Sequence, residues 1–256
     1  MRQSPIVYFL FFISGITALI YEIVWTRMLT LVFGHTVFSV SVVLAAFMAG
    51  LGLGSYLFGY AIDRLPETAA SKSLLVYGWV EILIFASGAL LSLLFANFSG
   101  IYASLHSVLP ESIPLQNLIK MVFAFGLILV PATLMGATLP IISKYCVTDD
   151  SRIGTQVSLL YALNTLGAAS GCLLAGFFLM GTFGVLQTVL LAAGANLLIG
   201  IGALNIYLET SPGADWKFSL PPLQIPRIDW SREQKFWMSI SFICGFTALA
   251  YEVLWT

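Results

Sequence analysis

Ionisable side chains are scarce in the long apolar stretches of this 256-residue chain, so the few that occur there are where chemistry should be sought first. A charged group at the centre of a bilayer costs about 2.5–3.5 kcal/mol on insertion scales, and such groups persist where they pair or bind something. Glu22 stands about two-thirds of the way through the first stretch, with Tyr21 beside it and Trp25 one turn further on. A carboxylate next to aromatic faces suits a cation, because charge pairing and cation–π attraction act together. Glu252 occupies an equivalent place near the other end of the chain. The candidate binding set is therefore Glu22, Tyr21, Trp25 and Glu252, with a cation or a coupling proton as ligand. The competing reading is architectural, with Glu22 capping or pairing with a neighbouring helix and holding two parts in register. Arg27 lies about 140° around an ideal helix from Glu22 and is a poor partner within the same helix.

The remaining polar groups carry plainer expectations. Glu81 falls about two turns into the third stretch and is read as reaching the interface in preference to facing a cavity. Lys120 opens the fourth stretch and is expected to snorkel outward. Asn164 and Thr165 are expected to hydrogen-bond between helices. Gly50-x-x-x-Gly54, Ser55-x-x-x-Gly59 and Gly167-x-x-x-Gly171 present small faces that let helices approach closely. Phosphate binding by these glycines would need a strand–loop–helix setting, which a membrane span excludes. Pro131, followed by Gly136, is expected to kink its helix. Cys146, Cys172 and Cys244 show no ligand-like spacing and are read as buried small apolar residues. His35 and His106 are solitary and read as solvated. No catalytic or metal-binding set emerges.

These residues need helices to position them. Apolar residues make up 59% of the chain and charged residues 9%, far below the roughly 25% charged of a soluble domain. Nothing resembles a basic tract that would hold nucleic acid. A helical span takes about 20 mainly apolar residues. Six stretches qualify: Ile6 to Phe33, Val37 to Ala61, Ser73 to Ala96, Asn117 to Ile142, Gly154 to Met180 and Val185 to Leu208. A seventh begins near Phe236 and is still running at Thr256. They are too long and uniformly apolar for barrel strands. The first is too long for a signal core and is read as a retained helix.

Threading six spans places Arg2, Arg64, Lys72, Lys144, Arg152, Lys217, Arg227, Arg232 and Lys235 on one side, leaving Arg27 and Lys120 on the other. The positive-inside rule then puts the N-terminus and residues 209–235 in the cytoplasm, with the chain in a plasma (inner) membrane. The 209–235 segment gathers Pro212, Pro221, Pro222 and Pro226 with many charges and reads as a linker. Between spans three and four, Ile101, Leu105, Val108 and Leu109 are spaced for a short interfacial helix or an ordinary structured loop.

A repeat organises the whole. Phe12-Ile-Ser-Gly-Ile-Thr-Ala-Leu-Ile-Tyr-Glu-Ile-Val-Trp-Thr26 returns as Phe242-Ile-Cys-Gly-Phe-Thr-Ala-Leu-Ala-Tyr-Glu-Val-Leu-Trp-Thr256, identical at ten of fifteen positions. Six spans separate the copies, as in transporters built from two parallel six-helix halves. The expected fold is an all-α integral membrane protein. It comprises a six-helix major-facilitator-like half bundle (1–208), a cytoplasmic linker (209–235) and the first helix of a second half (236–256). The second copy ends in mid-helix at Thr256, which is the expectation for a fragment of a longer protein.

Four motifs in order carry a family likeness: Ser14-Gly15 through Tyr21-Glu-Ile-Val-Trp-Thr-Arg27, the glycine-rich Ser39 to Ser55, Met135-Gly-Ala-Thr-Leu-Pro140, and Tyr161-Ala-Leu-Asn-Thr-Leu-Gly-Ala-Ala-Ser-Gly171. With these the chain resembles the membrane-embedded N-terminal part of fused major-facilitator/spermidine-synthase-like proteins. The resemblance implies a soluble aminopropyltransferase-like domain downstream, of the Rossmann-like methyltransferase class, using decarboxylated S-adenosylmethionine and a polyamine. No residue of that domain lies in this stretch, so no catalytic residue and no cofactor is assigned to it. Gly59-Tyr-Ala-Ile-Asp63-Arg64 is similar to the major-facilitator loop signature, from which Leu65-Pro66-Glu67 departs. The implied function is a membrane module that anchors or regulates the transferase domain. The alternative is a major-facilitator-like transporter of a small cationic solute such as a polyamine. The expected partners are the lipid bilayer, a second membrane half and the soluble domain of the same chain, and a polyamine.

Overall fold

The structure, a computed structural model, describes residues 5–34, 36–64, 70–98, 100, 112–147, 153–211 and 231–254. Among them seven helices are long and apolar enough to cross a membrane, and no strand occurs. The chain is a multi-pass, all-α membrane protein. Helix α1 covers Pro5–Phe33, α2 Thr36–Asp63, α3 Ala70–Ala96 and α4 Ile113–Cys146. Helix α5 covers Ile153–Phe183, α6 Val185–Thr210 and α7 Arg232–Leu254. The expected span ends fall within about one turn of these bounds. Residues 101–111, most of the 209–235 segment, His35, His106, Leu65 to Glu67 and the last two residues lie outside the described residues.

Hydrocarbon offers no hydrogen bonds, so each apolar run closes its backbone bonds internally as a helix. The ends are set by local chemistry. Gly34 adopts φ 73° and donates its N–H to the Thr30 carbonyl at 2.9 Å, a left-handed stop that glycine takes without a side-chain clash. Gly184, at φ 82°, makes the corresponding break between α5 and α6. Helix α7 begins with a capping box: Ser231 N–H donates to Gln234 Oε1 at 2.9 Å, and Gln234 N–H to Ser231 Oγ at 3.2 Å. That box starts the helix at Arg232, four residues before the expected start at Phe236. Helix α4 runs unbroken past Pro131 and Pro140. Thr133 and Thr138 donate their hydroxyls to the Leu129 and Met135 carbonyls of its backbone, each at 2.7 Å. Helix α5 loosens into a π-helical turn over Ala175–Leu179, where Phe177 and Phe178 stand exposed.

Helix α1 packs against α2, α3, α5 and α6, while α2 packs on α4, and α3 on α4 and α6. Exchanging α1–α3 with α4–α6 carries the most extensive of these pairs onto one another: α2–α4 onto α5–α1, α3–α4 onto α6–α1, and α3–α6 onto itself. Glycines permit the close pairs. A β-carbon on Gly50 or Gly54 would collide with Ala132 or Thr133 of α4, and one on Gly136 with the Leu51 backbone of α2. Gly167 and Gly171 likewise meet the Phe12 and Ile16 backbone of α1. The small-residue reading therefore holds for Gly50/Gly54 and Gly167/Gly171. It fails for the Ser55/Gly59 pair, since Ser55 is exposed and a β-carbon at Gly59 would make only an ordinary 3.7 Å contact with Pro140. Helix α7 touches α2 and contributes no buried residue.

Candidate functional site

The interface between α1 and α3 is built on one register. Ser14 meets Glu81, Tyr21 meets Gly88 and Trp25 meets Ser92, each pair 67 residues apart in sequence. A constant difference means the two helices run parallel, and steps of seven and four keep the contacts on one seam. Tyr21 lies over Gly88, where a β-carbon would stand 2.7 Å from its ring. Trp25 packs on Tyr21 with ring centroids 5.0 Å apart and donates its indole N–H to Ser92 Oγ at 3.0 Å. Ser92 in turn donates to the Gly88 carbonyl at 2.7 Å.

Helix α6 closes on the same region of α3 in the opposite direction. A β-carbon at Gly200 would stand 2.8 Å from the Gly78 carbonyl oxygen, so glycine on both helices lets the backbones touch. One turn along, this approach delivers Asn196 to Glu81. Glu81 is 0% exposed. Its Oε1 accepts from Ser14 Oγ of α1 and its Oε2 from Asn196 Nδ2 of α6, both at 2.6 Å. The Tyr77 hydroxyl, one turn before Glu81, lies beside the same carboxyl without the geometry of a formed hydrogen bond. Asn196 Oδ1 and the Tyr21 hydroxyl are also buried and unpaired. Glu81 lies eleven residues into α3, about 16 Å along its axis, near mid-depth. The expectation that it reaches the interface is corrected: it is the centre of a three-helix polar cluster.

The structure separates the sequence-predicted set into two environments. Tyr21 and Trp25 are wholly buried against α3. Glu22, on the next face of α1, is partly buried and lies close enough to Glu252 of α7 for their charges to interact. Glu252 is exposed on α7. Below Glu22 the same face continues with Thr26 and Thr30, whose hydroxyls donate to the Glu22 and Thr26 carbonyls at 2.8 Å.

No family model, no curated protein and no solved structure matches this chain.

The other residues singled out by sequence take up mostly structural posts. Asn164 covers Gly15 of α1, whereas Thr165 donates within its own helix to the Tyr161 carbonyl at 2.9 Å and bridges no other helix among the described residues. Lys120 lines a cavity of about 510 Å³ among the ends of α1, α3, α4 and α6, otherwise walled by apolar groups such as Met28, Val32, Phe95 and Val185. Arg64 lies over the Tyr60 ring, 4.3 Å from its centroid, and donates to its hydroxyl. Cys146 is buried, but Cys172 and Cys244 are exposed, against the expectation that all three are buried. Sequence reasoning missed Ser14 and Asn196 as partners of Glu81. The available signal was glycine at both 78 and 200, within one turn of Glu81 and Asn196.

Proposed function

We propose that this chain is the membrane module of a fused spermidine-synthase-like protein, a six-helix major-facilitator-like half followed by the first helix of a second half. Its role is to anchor or regulate a polyamine aminopropyltransferase domain. The exchange of α1–α3 with α4–α6 in the helix packing supports the half-bundle reading, since each six-helix half of major-facilitator proteins is itself a pair of inverted three-helix repeats. The recurrence of the α1 motif in α7 supports a second half.

The observation that carries the anchoring role is where the interior polar groups point. Ser14, Glu81, Asn196, Trp25 and Ser92 bond to one another across helices and are sealed from solvent. A solute path would leave such groups facing an open cavity. The test uses the full native gene product in membranes, assayed for aminopropyl transfer from decarboxylated S-adenosylmethionine to a diamine. The expected result is activity in the membrane fraction and no saturable uptake of labelled polyamine into proteoliposomes. Saturable uptake abolished by Glu22→Gln, without transferase activity, overturns it.

One observation favours transport as the second reading: Glu22 and Glu252, equivalent in the two copies of the repeat, come within interaction range of each other. Two carboxylates so placed suit a polyamine. On this reading Glu22→Gln weakens polyamine binding while folded yield is unchanged.

A further inference from the structure

The anchoring reading uses the Glu81 cluster only as sealed packing, and neither reading gives its carboxyl a chemical role. Its carboxyl is completely enclosed, and its neighbours come from three helices: Ser14 from α1, Tyr77 from α3 itself and Asn196 from α6. The titratable side chains facing it are Tyr77 and, from α1, Tyr21, and Cys146 of α4 approaches Tyr77. None is a cation. The described lysines and arginines sit towards the ends of their helices, and the one on α3, Lys72, is nine residues from Glu81, about 13 Å along the axis.

An ionised carboxylate removed from water needs a counter-charge or a full set of donors, and otherwise takes up a proton. Here it has two short hydrogen bonds and, among the described residues, no counter-charge. A neutral acid fits the same contacts. Oε2 remains an acceptor for Asn196, and the carboxyl O–H lies between Oε1 and Ser14 Oγ, a hydroxyl that accepts as readily as it donates. Releasing the proton leaves a full charge at mid-depth, with the Ser14, Asn196 and Tyr77 donors arranged around it. That charge is relieved when water enters between α1 and its neighbours.

We propose that Glu81 is a proton-binding site built into the α1–α3–α6 core, holding its proton while the three helices are packed and losing it when α1 separates from α3 and α6. The ligand is the proton alone, with water as donor and acceptor. The site couples membrane-module packing to pH whether the module anchors or transports, so it stands independently of the function proposed above.

The experiment compares the full native protein in lipid nanodiscs with its Glu81→Gln and Glu22→Gln variants. Thermal unfolding is followed at about pH 6 and about pH 9, with infrared detection of carboxylic-acid carbonyls at neutral pH. The folded state retains a proton that unfolded glutamate, with a pKa of about 4.3, gives up. Stability is therefore complete at low pH and lost as pH rises. The unmodified protein should melt several degrees lower at the higher pH and show an acid carbonyl band. Glu81→Gln should fold, lose the band and abolish the pH difference, because its amide donates to Ser14 and its carbonyl accepts from Asn196. Glu22→Gln should keep both. Failure of Glu81→Gln to fold overturns the proposal, since it would mean the charge is required. So does absence of the band in the unmodified protein, or a pH difference carried by Glu22 instead. Stabilisation by sodium that Glu81→Gln removes would assign the site to a metal cation and overturn the proton as its ligand.

Discussion

Trp25 and Ser92 show what the interior asks of a single side chain. The indole ring fills the seam between α1 and α3, and its N–H, cut off from water, needs an acceptor. Ser92→Ala should leave the ring in place and orphan that donor, at a cost of about 0.6–1.7 kcal/mol in unfolding free energy. A double-mutant cycle with Trp25→Phe should return a coupling of about 0.6 kcal/mol, the average for hydrogen bonds between membrane helices. A coupling of zero would show the 3.0 Å contact to be incidental. Legibility at this scale is uneven for a physical reason. Tyr21 and Trp25 announce themselves by type, as large amphipathic rings in an apolar run. Glu81 announces its cost but not its partners, which lie 67 residues before it and 115 after it. It also lies deeper than the apolar run implies, because α3 starts at Ala70, three residues before that run begins at Ser73.

Among the elements, α2 carries its own control. A β-carbon on Gly54 would overlap the Thr133 carbonyl of α4, while one on Gly52 meets nothing within 4 Å. Gly54→Ala should therefore destabilise by about 1–3 kcal/mol, the usual cost of overpacking. Gly52→Ala should be neutral, or stabilising by up to about 1 kcal/mol through helix propensity. Denaturant titration in detergent micelles distinguishes the two, and equal effects would refute the α2–α4 packing described above. Span lengths and most small-residue faces were readable because hydrocarbon imposes both a minimum length and internal backbone bonding. Which helix pairs with which was not readable. Glycine spacing says that a face is small, not what it meets, and Ser55-x-x-x-Gly59 shows that the spacing can occur without the contact. The start of α7 is offset by four residues for a different reason, since its capping box, Ser231 with Gln234, lies among polar residues that read as linker.

At the scale of the molecule, the two copies of one motif meet opposite fates. In α1, Gly15 is covered by Asn164 and Tyr21 is 0% exposed. In α7, a β-carbon on the corresponding Gly245 meets nothing within 4 Å among the described residues, and the corresponding Tyr251 is 56% exposed. A sequence that agrees with its fold at every level uses a small residue where another backbone approaches and an aromatic where a pocket receives it. The α7 copy retains both residue types, which is intelligible if helices equivalent to α3 and α5 pack against it in a second half, as the proposed function requires. The substitution Ser14 to Cys244 is informative too. The hydroxyl that serves Glu81 in the first copy is replaced by a thiol, a weak donor, so the second half need not repeat the carboxyl cluster. The decisive comparison is between Gly15→Leu and Gly245→Leu in the full native gene product, read as folded yield by size-exclusion chromatography in detergent. Gly15→Leu should collapse the yield by driving α1 off α5. Under the two-half architecture Gly245→Leu should do the same. A normal yield from Gly245→Leu alone would mean that the face of α7 bearing Gly245 meets no close backbone, and the second half would have to be abandoned together with the role assigned to Glu252.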